Sequence, residues 1–303
     1  MQTINKNGIS EITTSQFGED IIVNYLIKLL KNNNIINDVT YIDIGACDPV
    51  RNNNTVRFYE QNLLNTHMTS KSILIEANPY QYERCKEIRP NDIVLNAVIV
   101  DQGFENKKIP FYVFANESGL NTMSKTQAES ILKELPEVFT HYDTVMVETI
   151  TINEIIEKYF KDKPPVFIDL DIEGIELKIL KSFNFKKCKP LIWCIETSEL
   201  ITEYQVGKKE NDIVKFMKSK GYEVYADTYL NTIFVESKTL KTITRKVCMR
   251  KNVIDLEKIF SVKNSYSEHK SHKVINLLGM KIKIKRQIHC DKRICNNFPG
   301  GGG

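Results

Sequence analysis

No stretch of this 303-residue chain approaches the ~20 consecutive apolar residues of a membrane-spanning helix. The opening MQTINKNGIS has neither the basic nor the apolar region of a secretory leader, so a cytoplasmic location is expected. Seven cysteines (47, 85, 188, 194, 248, 290 and 295) are odd in number and show no CxxC or Cys/His spacing, which argues against both a disulfide framework and a zinc site. Cys188 and Cys194 read as core or strand residues. The sequon-like Asn53-Asn54-Thr55 and Asn116-Glu117-Ser118 then carry no glycosylation meaning. Internal repeats are absent. Glycine is scarce where a dinucleotide site would need it: the first strand-turn has Gly45 alone, so nothing prepares it for the pyrophosphate of NAD or FAD.

With 42% hydrophobic and 26% charged residues, the chain has the composition of one ordinary domain plus a tail. Its densest signal is PPVFIDLDIEGIELKILKSFNFKKCKPLIWCIET, residues 164 to 197. Val166, Phe167 and Ile168 read as a central parallel strand buried on both faces. The strand ends in Asp169, Asp171 and Glu173. Gly174 then opens a helix whose Ile175, Leu177, Ile179 and Leu180 pack back on the sheet, and a second strand ends in Glu196. Ligands collect at strand ends of open α/β sheets. One of these acids alone is as easily a helix cap, but four together are harder to explain that way.

A similar unit stands near the start. Val39 to Ile44 runs into Asp43, Gly45, Ala46, Cys47 and Asp48, and Ser72 to Ile75 ends at Glu76, Ala77 and Asn78. A strand, a small-residue turn, and an acid closing the next strand is how a nucleoside is held, the carboxylate accepting from both ribose hydroxyls. S-adenosylmethionine has no phosphate, so one glycine suffices for it. Glu76 and Asn96 strengthen this over an ordinary βα turn.

Taken in order, Ser15-Gln16-Phe17-Gly18-Glu19-Asp20, Tyr41-Ile42-Asp43-Ile44-Gly45-Ala46 with Asn54-Thr55, Ile75-Glu76-Ala77-Asn78-Pro79, Arg89-Pro90 with Asn96-Ala97, Asp171-Ile172-Glu173-Gly174-Ile175-Glu176, Cys194-Ile195-Glu196-Thr197, Gly221-Tyr222 and Asn231-Thr232-Ile233-Phe234-Val235 resemble the FkbM-type methyltransferases. The resemblance covers roughly residues 15 to 237. It implies a class I, S-adenosylmethionine-dependent enzyme: a Rossmann-like, seven-stranded and mostly parallel sheet, an antiparallel last hairpin, and helices on both faces. It further implies O-methylation in sugars or polyketide-like natural products, with Asp43, Gly45, Ala46, Asp48, Thr55, Glu76, Ala77, Asn78, Asn96 and Gln16 on the cofactor side. Asp169 departs from the pattern, where Lys or Ser is more usual.

Along the chain, helices are expected over Glu19 to Lys31, Asn52 to Leu64, Pro79 to Ile88, Asn153 to Phe160 and Asp212 to Lys220. Strands are expected over Ile93 to Val100, Ile109 to Phe114 and Thr144 to Thr151, and a hairpin over Tyr222 to Val235. Ala115 to Asp143 shows little apolar periodicity and reads either as a substrate lid or as an exposed insertion. Residues 1 to 237 form the expected methyltransferase domain, and 238 to 303 a basic extension with a Gly-rich disordered end. Within that extension, from Lys263 to Arg293, Lys263, Lys270, Lys273, Lys281, Lys283, Lys285, Arg286, Lys292 and Arg293 face only Glu268 and Asp291. Val274 to Met280 followed by Lys281 to Arg286 suits contact with an anionic membrane surface or a solvated strand pair. The aromatic interleaving of a nucleic-acid binder is missing, so none is expected as partner.

A sugar hydroxyl is a poor nucleophile and must lose its proton as it attacks. Asp169, Asp171, Glu173 and Glu196 crowd one edge. Mutual repulsion raises at least one pKa and favours base character; alternatively the cluster holds a divalent ion such as magnesium. Asp171 is the leading base or metal ligand, Glu173 and Glu196 position the acceptor, and His67 and His141 are weaker bases. The expected acceptor is a sugar or sugar nucleotide in bacterial capsule or lipooligosaccharide synthesis. A nicotinamide-dependent oxidoreductase and a non-catalytic sugar-binding scaffold are the rivals.

Overall fold

The computed structural model describes residues 12–64, 72–115, 118–161, 163–172, 174–202, 205–250, 260–267, 270–277 and 280–285, with only the backbone described for 199–202, 205–208, 246–250 and everything beyond. Two compact units result, Met1–Val247 and Cys248–Gly303. In chain order the first unit opens with α1 (Glu19–Asn32), β1 (Tyr41–Ile44), α2 (Val56–Leu63), β2 (Ile73–Glu76), α3 (Pro79–Ile88), β3 (Ile93–Ile99) and β4 (Lys108–Val113). There follow α4 (Lys125–Glu134), β5 (Asp143–Ile150), α5 (Ile152–Tyr159), β6 (Phe167–Leu170), α6 (Glu176–Ser182) and β7 (Ile192–Glu196). A small hairpin, β8 (Ser198–Thr202) and β9 (Gln205–Lys209), precedes α7 (Asn211–Ser219), β10 (Tyr222–Asp227), β11 (Asn231–Glu236) and α8 (Ser237–Arg250).

One nine-stranded sheet organises the unit, in the order β10-β11-β7-β6-β1-β2-β3-β5-β4. The six strands from β7 to β5 are parallel, and β10, β11 and β4 run antiparallel to their neighbours. The mostly parallel sheet and the antiparallel last hairpin are as expected; the strand count is not seven but nine. Beyond β3, Ala97 to Ile99 pair with Glu148 to Ile150, and β4 then closes the edge. β5 alternates exposed Met146 and Glu148 with buried Val147 and Thr149, a one-sided pattern that lets Val98, Phe111, Val113 and Val147 make a satellite core.

The central strands β1, β2, β6 and β7 are buried at every position. Their apolar side chains, Trp193 of β7 among them, join Phe234, Ile155, Leu180 and Met217 in the main core. Each large apolar side chain so buried stabilises the fold by about 1.5–3 kcal/mol. α5 starts where Thr151 and Glu154 form a reciprocal capping box, and α3 where Asn78 accepts the Tyr80 N–H just before Pro79.

The stretch from Ala115 to Asp143 is less loose than its sequence implies. Ser124 caps α4 through the Gln127 N–H, and Ala128, Ile131 and Leu132 pack on Tyr112, Phe114, Phe139 and Tyr142. Positions 128, 131, 132 and 135 follow a helical spacing, but short residues and lysines dilute it.

The second unit contains β12 (Phe260–Ser267), β13 (Lys270–Leu277) and β14 (Met280–Lys285), one antiparallel three-stranded sheet. Register pairs His272, Val274 and Asn276 with Lys285, Lys283 and Lys281.

Candidate functional site

The parallel ends of β6, β1 and β2 meet in one place because the register makes Asp169 and Asp43 neighbours and pairs Ile44 with Ile75, one residue short of Glu76. They open on a cavity of about 1210 Å³ whose wall includes Gln16, Asp43, Gly45, Ala46, Asp48, Glu76, Ala77, Asp169 and Asp171. Asp171 reaches the cavity because its N–H donates to the Ile44 carbonyl (3.1 Å), which folds the β6 end over the β1 turn. Gly45 has φ +85°, and a Cβ there would lie 1.9 Å from the Asp171 carbonyl oxygen. The glycine is therefore required by the neighbouring backbone, besides leaving a ligand room.

Glu76 is nearly buried. Its Oε2 accepts the Cys47 N–H and its Oε1 the Asn78 N–H, both at 2.7 Å. Burial pushes its carboxyl up to about 7, against these two backbone donors and with help from the Asp43 charge. Asn96 donates to the Glu76 and Ala77 carbonyls (2.9 and 3.0 Å), so it fixes the β2 end, and Asn78 is a helix cap. Thr55 lies under the site and donates to Asp43. Asn96, Asn78 and Thr55 are thus outside the cavity wall, whereas the other cofactor-side candidates line it; Glu196, expected to position the acceptor, is outside it as well.

Asp43 is held from below. Asn53 donates to it at 3.2 Å, and the guanidinium of buried Arg89 stands 3.9 Å away. Asp169 accepts both bonds of the Asn54 amide at 3.1 Å, next to Cys194. Burial first, then the charges of Asp43 and Asp171, hold its carboxyl well above the usual range. The unusual acid at this position is thereby favoured in its neutral form. Asp171 is only half-buried, yet enclosure by protein raises its carboxyl to about 7; Glu176, Asp43 and Glu19 push in the same direction, while a hydrogen bond with Glu196 opposes them. Glu173 lies outside the described residues, as does His67. His141 is exposed and away from the cavity.

Several acids of the matching segments have structural duties that spacing alone did not reveal. Glu176 accepts the N–H groups of Ile172 and Gly174 at 3.0 Å and so ties down the loop after Asp171. Asp20 collects Thr13, Thr14, Ser15 and Arg57, and Glu19 collects Phe17, Thr228 and Asn231. Of the Ser15 to Asp20 segment, Gln16 joins Ser15 in the cavity wall. Among the described residues, no group of three His, Cys, Asp or Glu is arranged to hold a metal ion.

A doubly covered sheet of this order, with a glycine turn after β1 and an acid closing β2, defines a class I methyltransferase fold. The family model of the methyltransferase FkbM domain matches residues 43–224. The chain belongs to the FkbM methyltransferase family. None of the curated proteins compared matches it.

Proposed function

We propose that the protein transfers a methyl group from S-adenosylmethionine to a hydroxyl of a sugar, free, nucleotide-linked or polymer-bound, in the assembly of a bacterial capsule or lipooligosaccharide. The observation that carries this reading is the placement of two different carboxylates in one cavity. Glu76 stands at the β2 end, where a ribose is held, and Asp171 stands two strands away with a pKa near neutrality. Pockets for one drug-sized ligand measure about 300–1,000 Å³, so this cavity is larger than a single such ligand requires.

The chain's residues fit the donor. Gly45 and Ala46 leave the β1 turn without bulky side chains, and Glu76 offers acceptor lone pairs beyond those its two N–H groups use. The donor, when bound, supplies an activated methyl on a sulfonium. Asp171 takes the proton from the acceptor hydroxyl as the new C–O bond forms. Glu196, hydrogen-bonded to Asp171, keeps its carboxyl oriented. Asp169, its carboxyl held well above the usual range by burial and by the charges of Asp43 and Asp171, is disfavoured as a second charge beside Asp171.

Glu76→Ala should weaken binding of S-adenosylmethionine and S-adenosylhomocysteine about 100-fold or more, since two hydrogen bonds to a charged group are lost at about 1.5–3 kcal/mol each. Calorimetry measures this. Wild-type binding of NAD in their place would support the oxidoreductase, and no binding at all the scaffold.

The basic extension supports a second element of the reading, contact with the inner face of an anionic membrane. Alternation along β14 sets positions 281, 283 and 285, all lysine, on one face and 280, 282 and 284, all apolar, on the other. No helix among the described residues is long and apolar enough to cross a membrane. The full chain should co-sediment with vesicles containing phosphatidylserine and not with neutral ones, and substituting the three lysines by glutamine should abolish this. Equal binding to both vesicle types would count against it.

A further inference from the structure

Gln81 is the one buried residue of the cavity wall whose side chain is left wholly unsatisfied among the described residues. It is 1% exposed, it lies in the first turn of α3, and neither its Oε1 nor its Nε2 has a hydrogen-bond partner. Its polar neighbours are hydrogen-bonded: Glu76 accepts two backbone N–H groups, Asn78 accepts the Tyr80 N–H, Asn96 donates to the Glu76 carbonyl and Asp48 accepts the Val50 N–H. A buried amide with both ends unpaired is a standing cost to the folded state, and most buried polar groups avoid it. Gln81 also lines the cavity.

Its direction follows from its helix. One turn further along α3, Arg84 reaches Asp48 at 3.1 Å and the Cys85 thiol donates to the Cys47 carbonyl at 3.6 Å. That side of α3 therefore faces the turn after β1, and Glu76 grips the same turn through the Cys47 N–H. Residues four apart share a helix face, so Gln81 and Cys85 look the same way. Gln81 thus belongs to the wall shared by the β1 turn and Glu76, where the donor reading above puts the nucleoside's sugar.

We infer that Gln81 is a donor-binding residue, its amide clamping the ribose diol together with Glu76. The chemistry of the two side chains is complementary. An ionised Glu76 can only accept, so it takes hydroxyl protons; the amide Nε2 donates to a hydroxyl oxygen and Oε1 accepts from a hydroxyl, which is both donor and acceptor. A vicinal diol offers one hydroxyl oxygen to Nε2 and one hydroxyl proton to Oε1, so it satisfies both ends of the amide at once. This inference rests on the adenosyl-donor reading above.

The test is calorimetry on the full chain with S-adenosylhomocysteine and its 2′-deoxy and 3′-deoxy analogues, for wild type and Gln81→Leu, with thermal unfolding of both proteins without ligand. The wild type should bind at least one deoxy analogue about tenfold more weakly than the parent. Gln81→Leu should bind the parent about tenfold more weakly, should discriminate less between the parent and the deoxy analogues because only Glu76 still reads the hydroxyls, and should unfold at a higher temperature, because two unpaired buried atoms are gone. A variant that keeps the wild-type ratio between parent and deoxy analogues overturns the inference, as does one that unfolds at a lower temperature. Absence of any wild-type binding would remove the donor reading itself, an outcome separate from either of these.

Discussion

Arg89→Ala is expected to lower the unfolding free energy by about 3–5 kcal/mol, because it leaves buried charges without their counter-ion. Arg89 is fully buried under the β1 turn. Its guanidinium donates to Tyr41 (2.8 Å), Thr55 (2.9 Å), Asp92 (3.0 Å) and Asn53 (3.2 Å), with Asp43 at 3.9 Å, and lies over the rings of Tyr41 and Tyr59. Burial would otherwise drive Asp43 and Asp92 up still further; the Arg89 charge is the largest influence holding both down. Arg89→Lys should recover little, since a point charge cannot serve four partners that a planar fork reaches at once. Urea unfolding of the three proteins decides the matter: a loss under about 1 kcal/mol for Arg89→Ala would show that the network is not a unit. Because Asn53 and Thr55 also hold Asp43, the variant should loosen the cavity floor and weaken donor binding as well.

The network shows what the sequence made legible and what it hid. Strand ends were legible: Asp43, Glu76, Asp169 and Asp171 each follow a short apolar run, and a parallel order brings such ends together whatever the loops do. The partner of each acid was hidden, because an aspartate that faces a ligand and one that grips backbone N–H groups look alike in sequence. Glu176, Asp20 and Glu19 are of the second kind, and Asn96, Asn78 and Thr55 support the site without lining it. Arg89 and Gln81 come to the site only when α3 packs against the β1 turn, a contact that no local spacing encodes. The sheet's last two strands were visible as β-prone stretches. Their joining the main sheet depended on pairing beyond β3, and α4 on the aromatic cluster beneath it.

Asp171→Asn should reduce methyl transfer by about 10²–10⁴-fold, the usual contribution of a positioned general base. The pH dependence is the sharper test. A base with its carboxyl near 7 is inactive when protonated, so the wild-type rate should rise as pH passes through about 7, and the residual rate of the variant should lack that limb. A carboxyl titrating near 7 by carbon NMR in the wild type and missing from Asp171→Asn would establish the assignment without an acceptor in hand. An unshifted titration near 4 would sink it. Stability should move the opposite way. Asp171, Asp169, Asp43 and Glu76 all have folded-state pKa values raised above the unfolded ones, so the folded chain binds more protons. The contributions of Asp171 and Glu76 are fully present below about 4 and fade as pH rises through about 7, and those of Asp169 and Asp43 fade as each ionises above its unfolded value. Asp171→Asn removes one of the ionisations that weaken the fold there, and at pH 8 the slower variant should be the more stable protein. A cluster that costs stability at the pH where it is ionised, yet stands open to a cavity through Asp171, is what a site selected for chemistry would retain.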